Sequence, residues 1–258
     1  MKRFSSIMLI FVFLFSCSLT ANAGLFIDST YTTPKGHIEA EFSADYYKDI
    51  EKEYDPDTEE YTKTICKETW LTLDIAYGIS ENWDAGVTTP YAFVDDNVSG
   101  KVNGFSDVLV WSKYRIRNES GNYPGFAIYG DIKTKSASQE RSLGTGQVDY
   151  TITGILSKGI KDYYLDLNLG YIFIGGDEND ILYYAFDISK DITEKLSIGA
   201  EVYGETIFER NFEENTFIAA LSLAYCATER IYLETGVGFG LTSVSPDYQY
   251  SGSVTFTF

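Results

Sequence analysis

A single histidine, His37, is the one side chain in this 258-residue sequence whose ordinary pKa suits general acid–base work near neutrality. Around it stand Pro34-Lys35-Gly36 and Ile38-Glu39-Ala40-Glu41, with no serine among them, and sequence logic brings no serine–carboxylate pair to the ring. The expectation is therefore a protein that is not an enzyme, with no catalytic residue. Of the three cysteines, Cys17 lies in the apolar leader described below. Cys66 and Cys226 form no CxxC and fall too far apart in the strand order for a disulfide, so both are expected as free thiols, with no metal site and no cofactor. The acidic run Asp55-Pro56-Asp57-Thr58-Glu59-Glu60 invites a calcium reading. Its sixth position is Glu60, where the sharp turn of an EF-hand loop needs glycine, and a solvated surface loop explains the run.

What remains is charge at alternate positions. Glu39, Glu41, Asp45, Asp74, Asp84, Asp107, Asp131, Asp149, Asp166, Asp187, Glu201, Glu205 and Glu234 each stand on the polar parity of a stretch whose opposite parity is apolar. Trp111, Lys113, Arg115 and Arg117 share that parity on one stretch, and Lys133 with Lys135 on the next, which together would make a basic wall facing the carboxylates. Charges of opposite sign across a narrow lumen set a transverse field that filters polar solutes. Formal net charge is −18, and without Lys2 and Arg3 the balance is 18 basic against 38 acidic residues, or −20. Such acidity excludes nucleic acid as a partner.

The elements that must position these groups are two-faced strands. Residues 1–23 read as a secretory signal: Lys2 and Arg3 precede an apolar run from Ile7 to Phe15, and Ala21-Asn22-Ala23 offers a small-x-small cleavage site. Residues 24–36 read as a short periplasmic leader, and residues 37–258 as one domain. Twelve alternating segments follow, from Ile38-Ala40-Phe42 to Tyr250-Gly252-Val254-Phe256, each with an apolar face for lipid and a polar face for a lumen. No later stretch reaches the ~20 consecutive apolar residues of a membrane helix. The even strand count puts both termini on one side, and the connections sort into tight turns on that side and longer loops, such as 48–62 and 95–104, on the other. Tyr77, Trp83, Tyr150, Tyr225 and Tyr248 gather at strand ends, where headgroup interfaces suit amphipathic rings. The fold expected is a closed antiparallel transmembrane β-barrel of about twelve strands in up-and-down order, within a bacterial outer membrane.

Several motifs carry a resemblance. Gly104-Phe105-Ser106-Asp107, then Lys113-Tyr114-Arg115, Lys133-Thr134, Leu143-Gly144-Thr145-Gly146 with Asp149, Leu169-Gly170-Tyr171 and Ser245-Pro246-Asp247-Tyr248 resemble the family described as the putative MetA-pathway of phenol degradation, from His37 to Phe258. The family tends to have glycine where Ser106 stands, and Pro-Thr-Gly where this chain follows Lys133 with Thr134-Lys135. The resemblance implies an outer-membrane barrel carrying small, aromatic or hydrophobic, compounds. The terminal Phe258 looks like the closing residue read by the barrel-assembly machinery. The expected function is thus a channel or transporter with a polar, mostly acidic lumen, in contact with outer-membrane lipid and lipopolysaccharide. The alternative is a closed barrel whose acidic loops bind a surface partner or divalent cations.

Overall fold

The computed structural model describes residues 25–55, 60–98, 100–207 and 214–258. The expected signal peptide and the centre of the acidic run, Asp57, lie outside the described residues. Thirteen extended segments form one antiparallel sheet: β1 (Ile38–Asp55), β2 (Glu60–Ser80), β3 (Trp83–Asp96), β4 (Gly100–Phe105), β5 (Leu109–Arg117), β6 (Gly125–Lys133), β7 (Asp149–Ile160), β8 (Tyr163–Phe173), β9 (Ile181–Asp191), β10 (Leu196–Ile207), β11 (Thr216–Thr228), β12 (Ile231–Gly240) and β13 (Tyr248–Thr257). Both β4 and β5 pair with β3, at Tyr91↔Phe105 and Thr88↔Leu109, so they are two halves of a single stave broken at 106–108. The wall therefore has twelve staves. β13 pairs with β1 from Glu39↔Thr257 to Lys48↔Tyr248, which closes the barrel. Closure gives each stave a partner on both sides, the condition for carrying backbone through hydrocarbon.

Burial is inverted relative to a soluble domain. Leu221 is 61% exposed and Leu169 57%, while Asp187 and Asp84 are 0% exposed, so the apolar rows face out and the carboxylates face in. That inversion follows from the period of two along each strand, since neighbouring side chains must take opposite faces of the wall. The tight turns 81–82, 161–162 and 229–230 lie at the end of the barrel that carries both ends of the sheet, the periplasmic end in such barrels. There the His37 Nδ1 lies 2.9 Å from the Phe258 carbonyl oxygen, and the Phe258 amide donates to Ile38 at 2.9 Å.

The opposite end differs from expectation. Residues 48–62 and 95–104 are largely strand: β1 and β2 stay paired to Asp55↔Glu60, and β3 and β4 to Asp96↔Gly100. At about 3.3 Å per residue the 21 residues of β2 extend far past the ~10 that a tilted crossing needs. Alternation fades beyond the lipid because both faces meet water there, yet a neighbouring strand still satisfies each backbone amide. The wall is consequently tall from β1 to β4 and low at β6, which has 9 residues. Cys66 and Cys226 are free thiols.

Candidate functional site

Sixteen of the side chains singled out in the sequence are enclosed by the wall: Glu39, Glu41, Asp45, Asp74, Asp84, Asp107, Trp111, Lys113, Asp131, Lys133, Asp149, Asp166, Asp187, Glu201, Glu205 and Glu234. Arg115 is not enclosed. It lies at the rim, just before a register shift between Arg115 and Arg117, and its guanidinium donates to the Glu81 carbonyl and Asn82 Oδ1 of the rim turn. Arg117 lies over the Tyr123 ring, 5.5 Å from its centroid, and Lys135 is exposed. The basic wall therefore reduces to two buried lysines, and each has a carboxylate. Lys113 Nζ lies 2.9 Å from Asp28 Oδ1, while Lys133 pairs with Asp149 and donates to Thr145 Oγ1 at 2.9 Å.

Carboxylates stand directly opposite one another elsewhere: Glu41 faces Asp74, Asp166 faces Asp187, and Asp187 faces Glu201. Like charges so placed repel, and hydrogen bonds offset part of that cost. Asp74 accepts from the Thr88 hydroxyl and from Trp111 Nε1 at 2.9 Å, and Glu41 accepts from Thr255 at 3.2 Å. In the other row Asp166 accepts from the Ser157 hydroxyl.

The expected periplasmic leader runs inside the wall, as an extended strap. Thr33 donates its amide to Asp84 Oδ2 on β3 at 2.8 Å, and Thr30 donates to Ser157 Oγ on β7 at 2.8 Å. Asn168 on β8 clamps Asp28 from both sides, accepting its amide at 2.9 Å and donating to its carbonyl at 2.7 Å. The two oxygens of Glu201 on β10 accept the amides of Leu25 at 3.0 Å and Phe26 at 2.8 Å. Partners on β3, β5, β7, β8 and β10 surround the segment, which only an interior path allows. Its apolar head, Leu25, Phe26 and Ile27, packs with Tyr203, Ile218, Ala185 and Ala220, and the Phe26 and Tyr203 rings stack at 5.1 Å. Glycine makes the room. A Cβ on Gly236 would lie 2.7 Å from a Leu25 methyl, and one on Gly78 would lie 2.1 Å from the Pro34 carbonyl oxygen.

From the extracellular side the long connection 134–148 folds inward. Leu143 is buried with Tyr47, Trp70 and Ala92, and its carbonyl accepts from Ser106 Oγ at 2.8 Å. Asp107 Oδ1 accepts the Ala137 amide at 2.8 Å, and a Cβ on Gly144 would sit 2.5 Å from Asp107 Oδ2. Most of the motif residues quoted above thus meet at one junction: the break between β4 and β5, Lys133 with Asp149, and the Leu143-Gly144-Thr145-Gly146 turn. The lumen is narrowed from both ends. Between the obstructions it offers carboxylates, two paired lysines and ring surfaces such as Trp111 with Tyr129, 6.0 Å apart.

The strap escaped the sequence reading because residues 25–36 lack alternation. Its trace is the apolar Leu25-Phe26-Ile27 head together with glycines at Gly78 and Gly236 on the inward parity.

Comparisons with known proteins come to the same architecture. The profile of the family described as putative MetA-pathway of phenol degradation matches residues 21–258. An outer membrane channel from Pseudomonas putida F1 superposes with a TM-score of 0.68 at 12% identity, covering 89% of this chain and 98% of that one. KdgM porin gives 0.52 at 13% identity, over 85% and 99% of the two chains. The beta domain of a Bordetella autotransporter gives 0.55 at 9% identity, over 86% and 99%. No curated protein matches the sequence.

Proposed function

We propose a transport role for this chain, which belongs to the putative MetA-pathway of phenol degradation family: it is an outer-membrane channel passing small solutes, aromatic ones included, through an acidic lumen. The observation that carries this reading is the strap. It crosses the interior on hydrogen bonds and the Lys113–Asp28 ion pair and meets the sheet through an isolated bridge from Lys35 to Gly78, so residues 25–34 can move while the wall stays intact. A lumen meant only to be filled could be packed by its own wall side chains, as in small barrels. The enclosed carboxylates Glu41, Asp74, Asp187, Glu201 and Glu234 make the path cation-selective, and the rings of Trp111, Tyr129 and Tyr203 accept flat solutes. At the periplasmic end Phe258, 68% exposed at the tip of the closing strand, is the residue offered to the barrel-assembly machinery.

Planar-bilayer recording tests the reading. The purified protein is expected to show a small conductance with a cation-selective reversal potential, and a chain without residues 25–33 a conductance several-fold larger. An anion-selective reversal potential would refute the acidic path. Absence of current and of liposome swelling from both chains would favour the second reading, that of a closed barrel whose tall acidic β1–β2 hairpin binds a surface partner or the divalent cations that bridge lipopolysaccharide. The obstruction of both ends and the height of that hairpin are the observations on its side.

A further inference from the structure

A chain of four side chains along the inner wall runs from the strap head to the inward loop. At the strap end the Phe26 ring stacks on Tyr203 of β10, 5.1 Å between centroids, and the Tyr183 hydroxyl donates to the Phe26 carbonyl at 3.2 Å. The Tyr203 hydroxyl donates to Gln249 Oε1 on β13, and Gln249 Nε2 donates to the Tyr47 hydroxyl on β1 at 3.1 Å. Tyr47 packs with Leu143, the buried residue of the loop. Tyr203 and Gln249 stand on strands that are not neighbours, with β11 and β12 between them. Where the tyrosine crosses, those strands oppose Ala220 to Gly238. A Cβ on Gly238 would lie 3.1 Å from an Ile218 methyl and 3.3 Å from Gln249 Oε1, so the small residues leave the path along the wall. The other inward residues of β13 are the short Ser251, Ser253, Thr255 and Thr257. Gln249 has both the length and the paired acceptor and donor to hold one hydroxyl on each side.

We propose that this chain couples the two obstructions, so that a solute displacing the inward loop from the extracellular side also loosens the strap head deeper in the lumen. The inference deepens the transport reading and rests on it for the arrival of the solute. The loop is seated or withdrawn, and the strap head is seated or released; these are the two-state elements that the chain joins. When Leu143 withdraws, Tyr47 loses the packing that sets its ring, and Gln249 loses a partner on a buried amide. The cost of that unmade bond is relieved by letting Gln249 turn, which takes the acceptor away from Tyr203 and frees the ring under Phe26. Coupling between two sites is reciprocal, so release of the strap head loosens the loop to the same degree. A solute at the outer obstruction thus prepares the inner one, and the lumen stays narrowed while no solute is present.

Amide hydrogen exchange of the purified protein in detergent micelles tests this without requiring current, so the coupling stands or falls separately from the channel reading. Leu143→Ala should speed exchange at residues 25–28 about tenfold, while the amides of β12 and β13 keep their rates. Tyr47→Phe deletes the hydroxyl but keeps the ring against Leu143, and Gln249 Nε2 retains Ser251 Oγ at 3.5 Å as an acceptor. The strap is already loosened in that background, and adding Leu143→Ala should speed it by less than about twofold more. In the other direction, Phe26→Ala should speed exchange at residues 137–143 by the factor that Leu143→Ala produces in the strap. Should Leu143→Ala fail to fold, Leu143→Val serves in the same comparison. Unchanged strap exchange in the loop variant overturns the proposal. So does an effect of full size that survives Tyr47→Phe, which would route the coupling through the wall instead of through Gln249.

Discussion

The strap at 25–36 and the inward loop at 134–148 narrow the same lumen by different means. The loop is covalently tied to β6 and β7, and its hold is a buried leucine with a few bonds to the β4–β5 break. The strap runs on into β1, and its hold is spread over partners on eight strands, with four of its amides given to carboxylate or amide oxygens. Hydrogen bonds to charged groups contribute roughly 1.5–3 kcal/mol each, and they are exchangeable for water in a way that a buried methyl group is not. The strap is thus built to leave as a unit, and the loop to stay and flex.

Removing the strap should give the largest effect. A chain lacking residues 25–33 is expected to conduct several-fold better than the full mature chain while keeping its closed wall, checked by single-channel recording and by heat-modifiable mobility on gels. Next comes the ion pair between Lys113 and Asp28. Lys113→Met leaves Asp28 enclosed without its cation, and breaking a buried pair from one side costs about 3–5 kcal/mol. Long openings resembling those of the strapless chain are expected. Adding Asp28→Asn to that variant should return much of the closed state, because the stranded charge is gone. If the double variant opens as much as Lys113→Met alone, the pair is not what seats the strap.

The loop should respond less. Leu143→Ala removes a side chain that is 2% exposed, and such a truncation costs about 2–5 kcal/mol. Because both loop ends remain tethered, the expected outcome is faster flicker and faster proteolysis at Arg141, with little change in open conductance. A conductance increase matching that of strap removal would collapse the distinction between the two obstructions.

The wall was legible because hydrocarbon outside and water inside impose period two on every strand that spans the lipid. Phe42, Leu71 and Leu223 could face nothing else, and Glu41, Asp74 and Glu201 followed by parity. Legibility ended where that constraint ended. Beyond the lipid β1 and β2 pair on without alternation and so read as loop. At the rim Arg115 kept the inward parity, but the nearby turn took its guanidinium. The strap was invisible for a further reason: its partners lie up to 176 residues away, as Glu201 does from Leu25, and no local period records them. The Leu143-Gly144-Thr145-Gly146 motif was noticed for its resemblance, yet its purpose, letting a loop approach Asp107, needs the barrel before it makes sense.

The smallest effect asks whether the rim helps to hold the strap. Glu119, in the turn between β5 and β6, accepts from Lys158 Nζ at 2.6 Å and from the Gly159 amide at 2.9 Å, and a Cβ on the neighbouring Gly125 would touch Thr30 of the strap at 2.7 Å. Partial burial pushes the Glu119 carboxyl up, but the Lys158 and Gly159 bonds outweigh it, and the group ends below its ordinary value. A carboxyl lowered on folding contributes stability above its unfolded value, about 4.3, and loses it as pH falls through the lower folded one. With side chains 22% and 40% exposed, the pair contributes only about 0.5 kcal/mol after screening by solvent. Glu119→Gln should therefore lower thermal stability by a degree or so at pH 7, with the difference shrinking as pH falls below about 4.3, and should leave conductance unchanged. An increase in conductance from this variant would mean that the periplasmic rim, rather than the bonds inside the lumen, decides whether the strap stays.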